Sequence, residues 1–164
     1  MEIKQIQDKQ EWEEFVLAQP STIFVQSYKY GDFYESMGES SWIFGIYNSG
    51  KLIGGSLVVS THAKRGDFLY LPYGPILSEK DRGEALEELT KFLKKFAKEN
   101  KYSFIRVSPF IDDTKESKKI FKKAGYSNAP IHVLAETTWL LDIQKPDEKL
   151  LAEMKKNHRN LIRR

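Results

Sequence analysis

One stretch of 26 residues, from Leu52 to Leu77, constrains the fold of this chain more than any other: LIGGSLVVSTHAKRGDFLYLPYGPIL. Its apolar runs predict an arm of a β-hairpin and a second strand over Phe68–Leu71, followed by a rigid Tyr-Gly-Pro turn. Because the interior of a sheet is filled by packing, α/β proteins present groups to ligands where strands end in such turns. We therefore expect a substrate pocket to begin at this turn.

The flanking residues predict alternating strands and helices. Asn48-Ser49-Gly50 is a turn sequence that favours an antiparallel hairpin. Apolar residues three and four positions apart predict a long helix over 83–101. The remaining elements are a first strand over 1–6, a helix capped by Asp8, a helix over 28–37, a strand over 103–107 and a helix over 114–124 closed by Gly125. This order indicates an α/β (α+β) fold with a mixed, mostly antiparallel sheet flanked by helices.

Two further elements are predicted near the end of the sequence. Thr137–Ile143 has the composition of a strand, and Pro146 begins a final helix that runs to the last residue. We therefore divide the chain into a domain over 1–145 and a C-terminal basic helix over 146–164. Within that helix, Leu150, Met154 and Leu161 form a thin apolar seam.

Composition excludes several classes of protein. The 164 residues suit one compact domain, and the absence of cysteine excludes a disulfide framework, a thiolate nucleophile and a zinc–thiolate site. A net charge of +3 argues against a dedicated nucleic-acid binder. The N-terminus lacks the apolar core of a secretory signal, and no uncharged apolar run reaches the roughly 20 residues that span a bilayer.

Tyr70, Tyr73, Gly74 and Pro75 are the first candidates for ligand binding. Glycine permits close approach of a ligand, proline stiffens the turn, and the tyrosines offer hydroxyls or rings. Taken alone, the motif is more often a plain tight turn. Arg106, inside an apolar strand, either grips a phosphate or carboxylate in two-pronged fashion or lies on the solvated side of the strand.

Other chemistry-bearing residues give weaker signals. Lys29, between two tyrosines, is either a phosphate contact or a solvated helix lysine. The three histidines have no metal-ligand spacing, and no nucleophile-elbow serine or phosphate-binding loop occurs, so we name no metal ligand and no catalytic residue.

Seven blocks, in order along the chain, resemble the first domain of the FemABX family. These enzymes are non-ribosomal peptidyltransferases that add amino acids from aminoacyl-tRNA to the peptide of peptidoglycan precursors. The blocks are FVQS at 24–27, GKLIGG at 50–55, LYLPYGP at 69–75, RVSP at 106–109, GY at 125–126, TWLLD at 138–142 and MKKNHRNLIR at 154–163.

The resemblance implies a GNAT-like acyltransferase domain in which Tyr73, Gly74 and Pro75 line the cleft for the peptidoglycan precursor, which is either UDP-muramyl-pentapeptide or its lipid-linked form. Family members hold the diphosphate with a lysine near the end of the aromatic helix, where this chain has Tyr34; Lys29 is the nearby cation. Just past the turn, members often carry an acidic residue, whereas this chain has Ser78 followed by Glu79.

The resemblance also implies a second acyltransferase-like domain after the basic helix, which completes the active site and holds the aminoacyl-tRNA. We therefore expect this sequence to be the precursor-binding half of a cytoplasmic aminoacyltransferase, inactive alone, using no cofactor other than aminoacyl-tRNA as co-substrate. Arg159 and Arg163 of the basic helix would contact the missing domain or a partner, and peripheral contact with a membrane is compatible with their charge.

Two other functions remain open. The first is an acetyl-CoA-dependent GNAT N-acyltransferase, although the Arg/Gln-x-x-Gly-x-Gly/Ala signature that cradles pyrophosphate at a helix N-terminus is missing. The second is a non-catalytic GNAT-like module whose basic tail binds a partner, RNA or anionic lipid through interactions that salt screens.

Overall fold

The computed structural model describes residues 1–20, 24–64, 66–135 and 137–162. They form two compact units, residues 1–134 and residues 135–164. The first unit holds the β-sheet and four helices, and the second holds two short helices.

A six-stranded sheet forms the centre of the first unit. Its strands lie in the order β1, β2, β3, β4 and β6, and β5 pairs with β3. Neighbours are antiparallel except for β4 and β6, which run parallel. The strands are β1 Glu2–Gln5, β2 Ser41–Asn48, β3 Lys51–Thr61, β4 Phe68–Tyr73, β5 Ile76–Leu77 and β6 Phe104–Pro109. The predicted mixed, mostly antiparallel sheet is confirmed.

A two-residue turn joins β2 to β3. Asn48 pairs with Lys51, while Ser49 and Gly50 between them have φ angles of +49° and +79°. Two successive left-handed residues are what the right-handed twist of a hairpin favours. The hairpin predicted from Asn48-Ser49-Gly50 therefore forms.

The strand β3 changes its neighbour along its length. Its C-terminal residues pair with β4, up to Val59 opposite Tyr70, and its earlier residues pair with β5, with Gly55 opposite Ile76. The segment between β4 and β5 is the predicted Tyr-Gly-Pro turn, which therefore leaves the sheet edge and returns to it. The short strand β5 was not predicted.

Helix α3 covers one face of the sheet and supplies the main apolar core. Its buried residues pack against a cluster of side chains from the strands that includes Phe44, Val58, Leu69 and Leu71. Helix α4 packs against α3. The helices of the first unit are α1 Lys9–Leu17, α2 Tyr28–Ser36, α3 Arg82–Glu99 and α4 Lys115–Lys123.

The predicted caps at Asp8 and Gly125 are present, and Thr114 adds a side-chain cap that was not predicted. Asp8 accepts a hydrogen bond from the Gln10 amide at 2.9 Å at the start of α1, and Thr114 accepts one from the Ser117 amide at 3.1 Å at the start of α4. Gly125, with φ of +91°, follows the end of α4. Each cap satisfies backbone groups that the helix leaves unpaired.

Helices α1 and α2 cover the opposite face of the sheet, which is less apolar. Trp12 and Val16 of α1 are buried with Ile6, and Tyr30 and Tyr34 of α2 pack against Leu57, Val59 and Tyr70. A single 3-10 turn, Phe24–Gln26, precedes α2.

The second unit corrects two predictions. Residues 137–143 form no strand, because a strand needs the backbone of a neighbour and the described part of this unit offers none. The predicted single final helix is two helices, α5 Asp147–Glu153 and α6 Lys156–Ile162. Met154 between them is extended, with ψ of 151°, which interrupts the helical backbone. Across the described residues, no helix is both long and apolar enough to cross a membrane.

Candidate functional site

The carboxyl ends of β4 and β6 lie side by side. In the parallel register Tyr70 is opposite Arg106, Pro72 opposite Ser108, and Tyr73 opposite Pro109. Open α/β sheets bind ligands just outside the carboxyl ends of neighbouring parallel strands. Alternation along β6 puts Arg106 and Ser108 on the α2 side, since Ile105 and Val107 pack into the α3 core.

The turn over 73–75 begins with a left-handed residue. Tyr73 has φ of +51°, a conformation uncommon for a residue with a side chain, and a cis peptide bond joins Gly74 to Pro75. Position 74 requires glycine because there is no space for a side chain: a Cβ there would lie 2.8 Å from Gln26 Nε2 and closer still to Ser56 Oγ. Gly74 and Pro75 are buried, whereas Tyr73 is partly exposed. Its ring meets the edge of Phe110 with centroids 5.5 Å apart.

Tyr70 lies in the floor between the two strands. It is 3% exposed, and its hydroxyl is 3.4 Å from Ser108 Oγ. Burial raises the pKa of Tyr70, while the Ser108 hydrogen bond and the Arg106 charge oppose that rise. The phenol is therefore neutral at physiological pH, and it keeps the capacity to donate a hydrogen bond.

Arg106 carries an unsatisfied donor beside Tyr70. Its Nε is buried and has no hydrogen-bond partner among the described residues, which also provide no ion pair for this guanidinium. Arg82 has a similarly buried Nε, but its Nη2 lies 3.7 Å from Glu79 Oε1. A buried N–H without an acceptor is costly and rare in native proteins, so this group is suited to an anionic ligand.

Two tyrosines of α2 border the same face. Tyr30 and Tyr34 lie four residues apart, with ring centroids separated by 5.4 Å. Burial, together with the nearby Tyr30 and Tyr70, raises the pKa of Tyr34 to about 12. Tyr34 is therefore a neutral side chain at the position where the resemblance implies a lysine.

Lys29 is on the same helix but is exposed. Within the described structure it makes no hydrogen bond or ion pair that links it to Arg106 or to the turn. The structure thus brings Tyr70, Tyr73, Gly74, Pro75 and Arg106 together and leaves Lys29 outside this group.

The remaining candidates lie in the second unit. Arg159 is partly exposed, and its Nη1 is 3.5 Å from the carbonyl of Ala152. Arg163 lies outside the described residues. Among those that are described, no group of histidine, aspartate and glutamate side chains is arranged to hold a metal ion.

Two surface cavities in the first unit are not part of this site. One, of about 490 Å³, is lined by α4 residues from Lys115 to Lys123. The other, of about 440 Å³, lies between α3, the start of β6 and Tyr126. Neither is lined by Tyr70, Arg106 or the turn.

Sequence reasoning missed three residues of this region. Ser108 shares the face of Arg106 by the two-residue period of a strand, which was a usable signal. Phe110 follows β6 directly and had no signal of its own. Gln26, a polar residue inside the apolar run FVQ, was quoted only as part of a motif, although a buried amide requires hydrogen-bond partners.

Comparison with known proteins decides the family. The sequence profile described as the FemAB family matches residues 8–138, which is most of the chain. The chain belongs to the FemAB family. This confirms the resemblance drawn from the seven sequence blocks.

Solved structures agree on the fold of this FemAB-family chain. The structure entitled FemX matches with a TM-score of 0.81 and 20% identity over 99% of this chain and 43% of FemX. The chain thus spans less than half the length of FemX. No curated protein matches the chain by sequence.

Acetyltransferase structures also share the fold. A probable acetyltransferase matches with a TM-score of 0.57 and 17% identity over 89% of this chain and 100% of its own. An aminoglycoside antibiotic 6'-N-acetyltransferase from Acinetobacter haemolyticus matches with a TM-score of 0.56 and 15% identity over 87% of this chain and 100% of its own. The fold of the FemAB-family chain is therefore GNAT-like.

Proposed function

We propose that this chain is the precursor-binding part of an aminoacyl-tRNA-dependent aminoacyltransferase that extends the stem peptide of peptidoglycan. Two findings support this function: membership of the FemAB family, and the unsatisfied Arg106 Nε beside Tyr70 at the carboxyl ends of β4 and β6. The second carries the argument for binding, because it is a donor that the folded chain itself leaves without an acceptor.

Each site residue has a role in this proposal. Arg106 binds a phosphate or carboxylate of the precursor, and Ser108 and the neutral Tyr70 phenol add hydrogen bonds. The ring of Tyr73 lies along the peptide, while Gly74 and Pro75 hold that ring in place. Lys29 is an outer cation that meets the precursor only if the ligand extends across α2.

The chemistry requires positioning more than covalent catalysis. The acceptor amine of the peptide attacks the carbonyl carbon of the aminoacyl ester; an amide bond forms, the ester bond to the tRNA ribose breaks, and the proton lost by the amine ends on the released hydroxyl. Holding the amine near the ester supplies much of the rate. In this proposal a second domain brings the aminoacyl-tRNA, no further cofactor takes part, and the reaction occurs in the cytoplasm. Arg159 and Arg163 contact that domain or a membrane surface.

The acetyl-CoA alternative gains support from the fold matches but not from the charges at the start of α3. Pyrophosphate binding at a helix N-terminus needs free N–H groups and no opposing charge. Here the carboxylates of Glu79, Asp81 and Glu84 outnumber the two cations at that terminus, Lys80 and Arg82. We therefore rank acetyl-CoA below the peptidoglycan precursor as the ligand.

The test is a calorimetric titration of the chain with UDP-muramyl-pentapeptide. We expect saturable binding that Tyr73→Ala weakens at least about tenfold, a loss of roughly 1.4 kcal/mol. Tyr47→Ala is the matched control, since Tyr47 is a partly buried tyrosine of β2 whose hydroxyl bonds Glu11 outside the site.

Three outcomes contradict the proposal. No binding at millimolar precursor removes the assigned ligand. Preferential binding of acetyl-CoA favours the N-acyltransferase. Binding of RNA or anionic vesicles that disappears with added salt, without any response to the precursor, favours the non-catalytic module.

A further inference from the structure

The hydrogen-bond ladder between β3 and β4 stops before β4 ends. The last pair is Val59 opposite Tyr70. Hydrogen-bonded pairs alternate with non-hydrogen-bonded pairs between antiparallel strands, so the next hydrogen-bonded pair in this register would be Leu57 with Pro72. Proline has no backbone N–H, so this pair cannot exchange two hydrogen bonds. The ladder is therefore broken at the residue that precedes the Tyr-Gly-Pro turn.

The side chain of Gln26 occupies the position of the missing pair. The Leu57 amide donates to Gln26 Oε1 at 2.9 Å, and Gln26 Nε2 donates to the Pro72 carbonyl. Ser56 Oγ donates to the Leu57 carbonyl at 2.8 Å. The backbone groups left unpaired by the break in the ladder, which are the Leu57 amide, the Leu57 carbonyl and the Pro72 carbonyl, thus all have partners.

A hydrogen bond from Trp12 fixes the backbone of Gln26. It is 0% exposed, and its carbonyl accepts a hydrogen bond from Trp12 Nε1 at 2.6 Å. Trp12 belongs to the fully buried apolar cluster under α1. Because its backbone is anchored in this way, the carboxamide has little freedom to leave the gap.

The turn is built directly on this carboxamide. Tyr73 directly follows Pro72, whose carbonyl Gln26 bonds, and directly precedes Gly74, where a Cβ would meet Gln26 Nε2 at 2.8 Å. After the turn, Ile76 rejoins β3 at Gly55. Between the two ladders β3 advances from Gly55 to Val59, while the other strand uses two residues more, and these extra residues form the projecting turn.

We propose that Gln26 is a positioning residue for the candidate site. Its carboxamide bridges the Leu57 amide and the Pro72 carbonyl, two groups that a continuous β3–β4 ladder would join directly, and so it fixes the direction in which Tyr73 leaves the sheet toward Phe110. The effect on ligand affinity rests on the proposed function, whereas the effect on the turn does not.

The first experiment observes the turn without any ligand, by fluorine NMR of the chain labelled with 3-fluorotyrosine. The Tyr73 signal is assigned through Tyr73→Phe. We expect Gln26→Met, which keeps the length of the side chain but removes both hydrogen bonds, to shift or broaden that signal in the folded protein. Thr90→Val is the control, because Thr90 is another buried, hydrogen-bonded residue, on α3, and it should leave the signal unchanged. An unchanged Tyr73 signal in Gln26→Met overturns the proposal.

A second variant covers the case in which Gln26→Met does not fold. Gln26→Glu retains the acceptor for Leu57 but donates to Pro72 only when protonated, and burial raises the pKa of such a carboxyl. We expect the Tyr73 signal of this variant to approach that of the wild type as the pH falls. A pH-independent Tyr73 signal contradicts the inference.

Measurements of ligand affinity then separate an effect of Gln26 on the position of Tyr73 from an effect on the stability of the fold alone. At a temperature where all variants are folded, Gln26→Met should weaken UDP-muramyl-pentapeptide binding at least about tenfold, while Thr90→Val lowers the melting temperature without changing affinity. Wild-type affinity in Gln26→Met counts against the proposal. If the wild-type chain binds no precursor, the proposed function fails, and the fluorine signal still decides the role of Gln26.

Discussion

The two faces of β4 and β6 differ in what their side chains contact. Toward α3, Leu69, Leu71, Ile105 and Val107 join a wholly apolar cluster. Toward α2, Tyr70, Arg106 and Ser108 come from the same two strands. Since neighbouring residues of a strand point to opposite faces, one pair of strands serves both stability and ligand binding.

Some polar groups on the two faces also differ in how fully they are satisfied, although Arg82 Nε of α3, like Arg106 Nε, lacks a hydrogen-bond partner within the described structure. Near α3, Thr90 Oγ1 bonds the Leu86 carbonyl at 2.6 Å, and Ser60 Oγ donates to Glu39 Oε2 at 2.6 Å. Near α2, Arg106 Nε has no partner within the described structure. Substitutions on the α3 side should therefore change folding, and those on the α2 side should change binding.

Leu93→Ala gives the largest expected effect. Leu93 is fully buried in the α3 core, and truncating such a leucine costs about 3–4 kcal/mol of the free energy of unfolding. Urea denaturation measures this loss, and calorimetry at a temperature where the variant is folded should give unchanged precursor affinity. Comparable losses of stability and affinity would break the distinction between the faces.

Arg106→Gln should lower precursor affinity and leave the free energy of unfolding nearly unchanged. We expect precursor affinity to fall by about 10- to 100-fold, since a charge-assisted hydrogen bond contributes about 1.5–3 kcal/mol. The free energy of unfolding should change by less than about 1 kcal/mol, because no hydrogen bond within the described structure depends on Arg106 Nε. Arg82→Gln is the control, and equal loss of affinity in both variants would argue against a specific role for Arg106.

Glu39→Gln tests a carboxylate that is hydrogen-bonded to Ser60 and His62, close to the face of the sheet that α3 covers. Burial acts to raise the pKa of Glu39, but hydrogen bonds from Ser60 and from His62 outweigh it and lower that pKa below the usual value. The carboxylate is therefore more stabilised in the folded chain, and its contribution is present above the unfolded pKa of 4.5 and is lost as pH falls through the lowered folded pKa.

At pH 7 we expect Glu39→Gln to cost about 1–2 kcal/mol and to remove part of the acid dependence of unfolding. Urea denaturation at several pH values measures both effects. Precursor affinity should stay unchanged, and a variant with unaltered acid dependence would show that Glu39 is not the group that titrates.

Tyr34→Phe should have the smallest effect at neutral pH. Burial raises the pKa of Tyr34 to about 12, so the folded chain holds this proton while the unfolded chain releases it near pH 10. Stability therefore falls between those pH values, and Tyr34→Phe should remove that part of the decline. Ultraviolet titration of the phenols checks this prediction, because Tyr34→Phe should remove a phenol that ionises near pH 12. Removal of a phenol that ionises near pH 10 would contradict the placement of Tyr34 against Tyr30 and Tyr70.

Local signals made much of the fold predictable. Asn48-Ser49-Gly50, Asp8 and Gly125 each act on neighbouring backbone groups, so their consequences could be read from the sequence. The strand predicted over 137–143 was wrong because strand formation depends on a partner, which composition does not reveal. The single final helix was wrong at Met154, where the backbone becomes extended without a proline or glycine to mark it.

The candidate site was only partly accessible to the same reasoning. The turn at Tyr73 and the charge of Arg106 stood out as residue types, but their proximity follows from pairing between distant strands. Gln26 could not be assigned a role, because its partners Leu57 and Pro72 lie far along the chain. Whether these residues bind the precursor stays a prediction until it is measured.

The parallel pairing of β4 with β6 also has a consequence for the order of folding. Tyr70 and Ser108, which share a hydrogen bond, are 38 residues apart, and the connection that contains α3 must cross over for them to meet. Non-local pairs of this kind close late, since their loop entropy is lost before any contact compensates for it. The binding face should therefore be absent from any early intermediate built on the β2–β3 hairpin, and it should gain protection from amide exchange later than that hairpin during refolding.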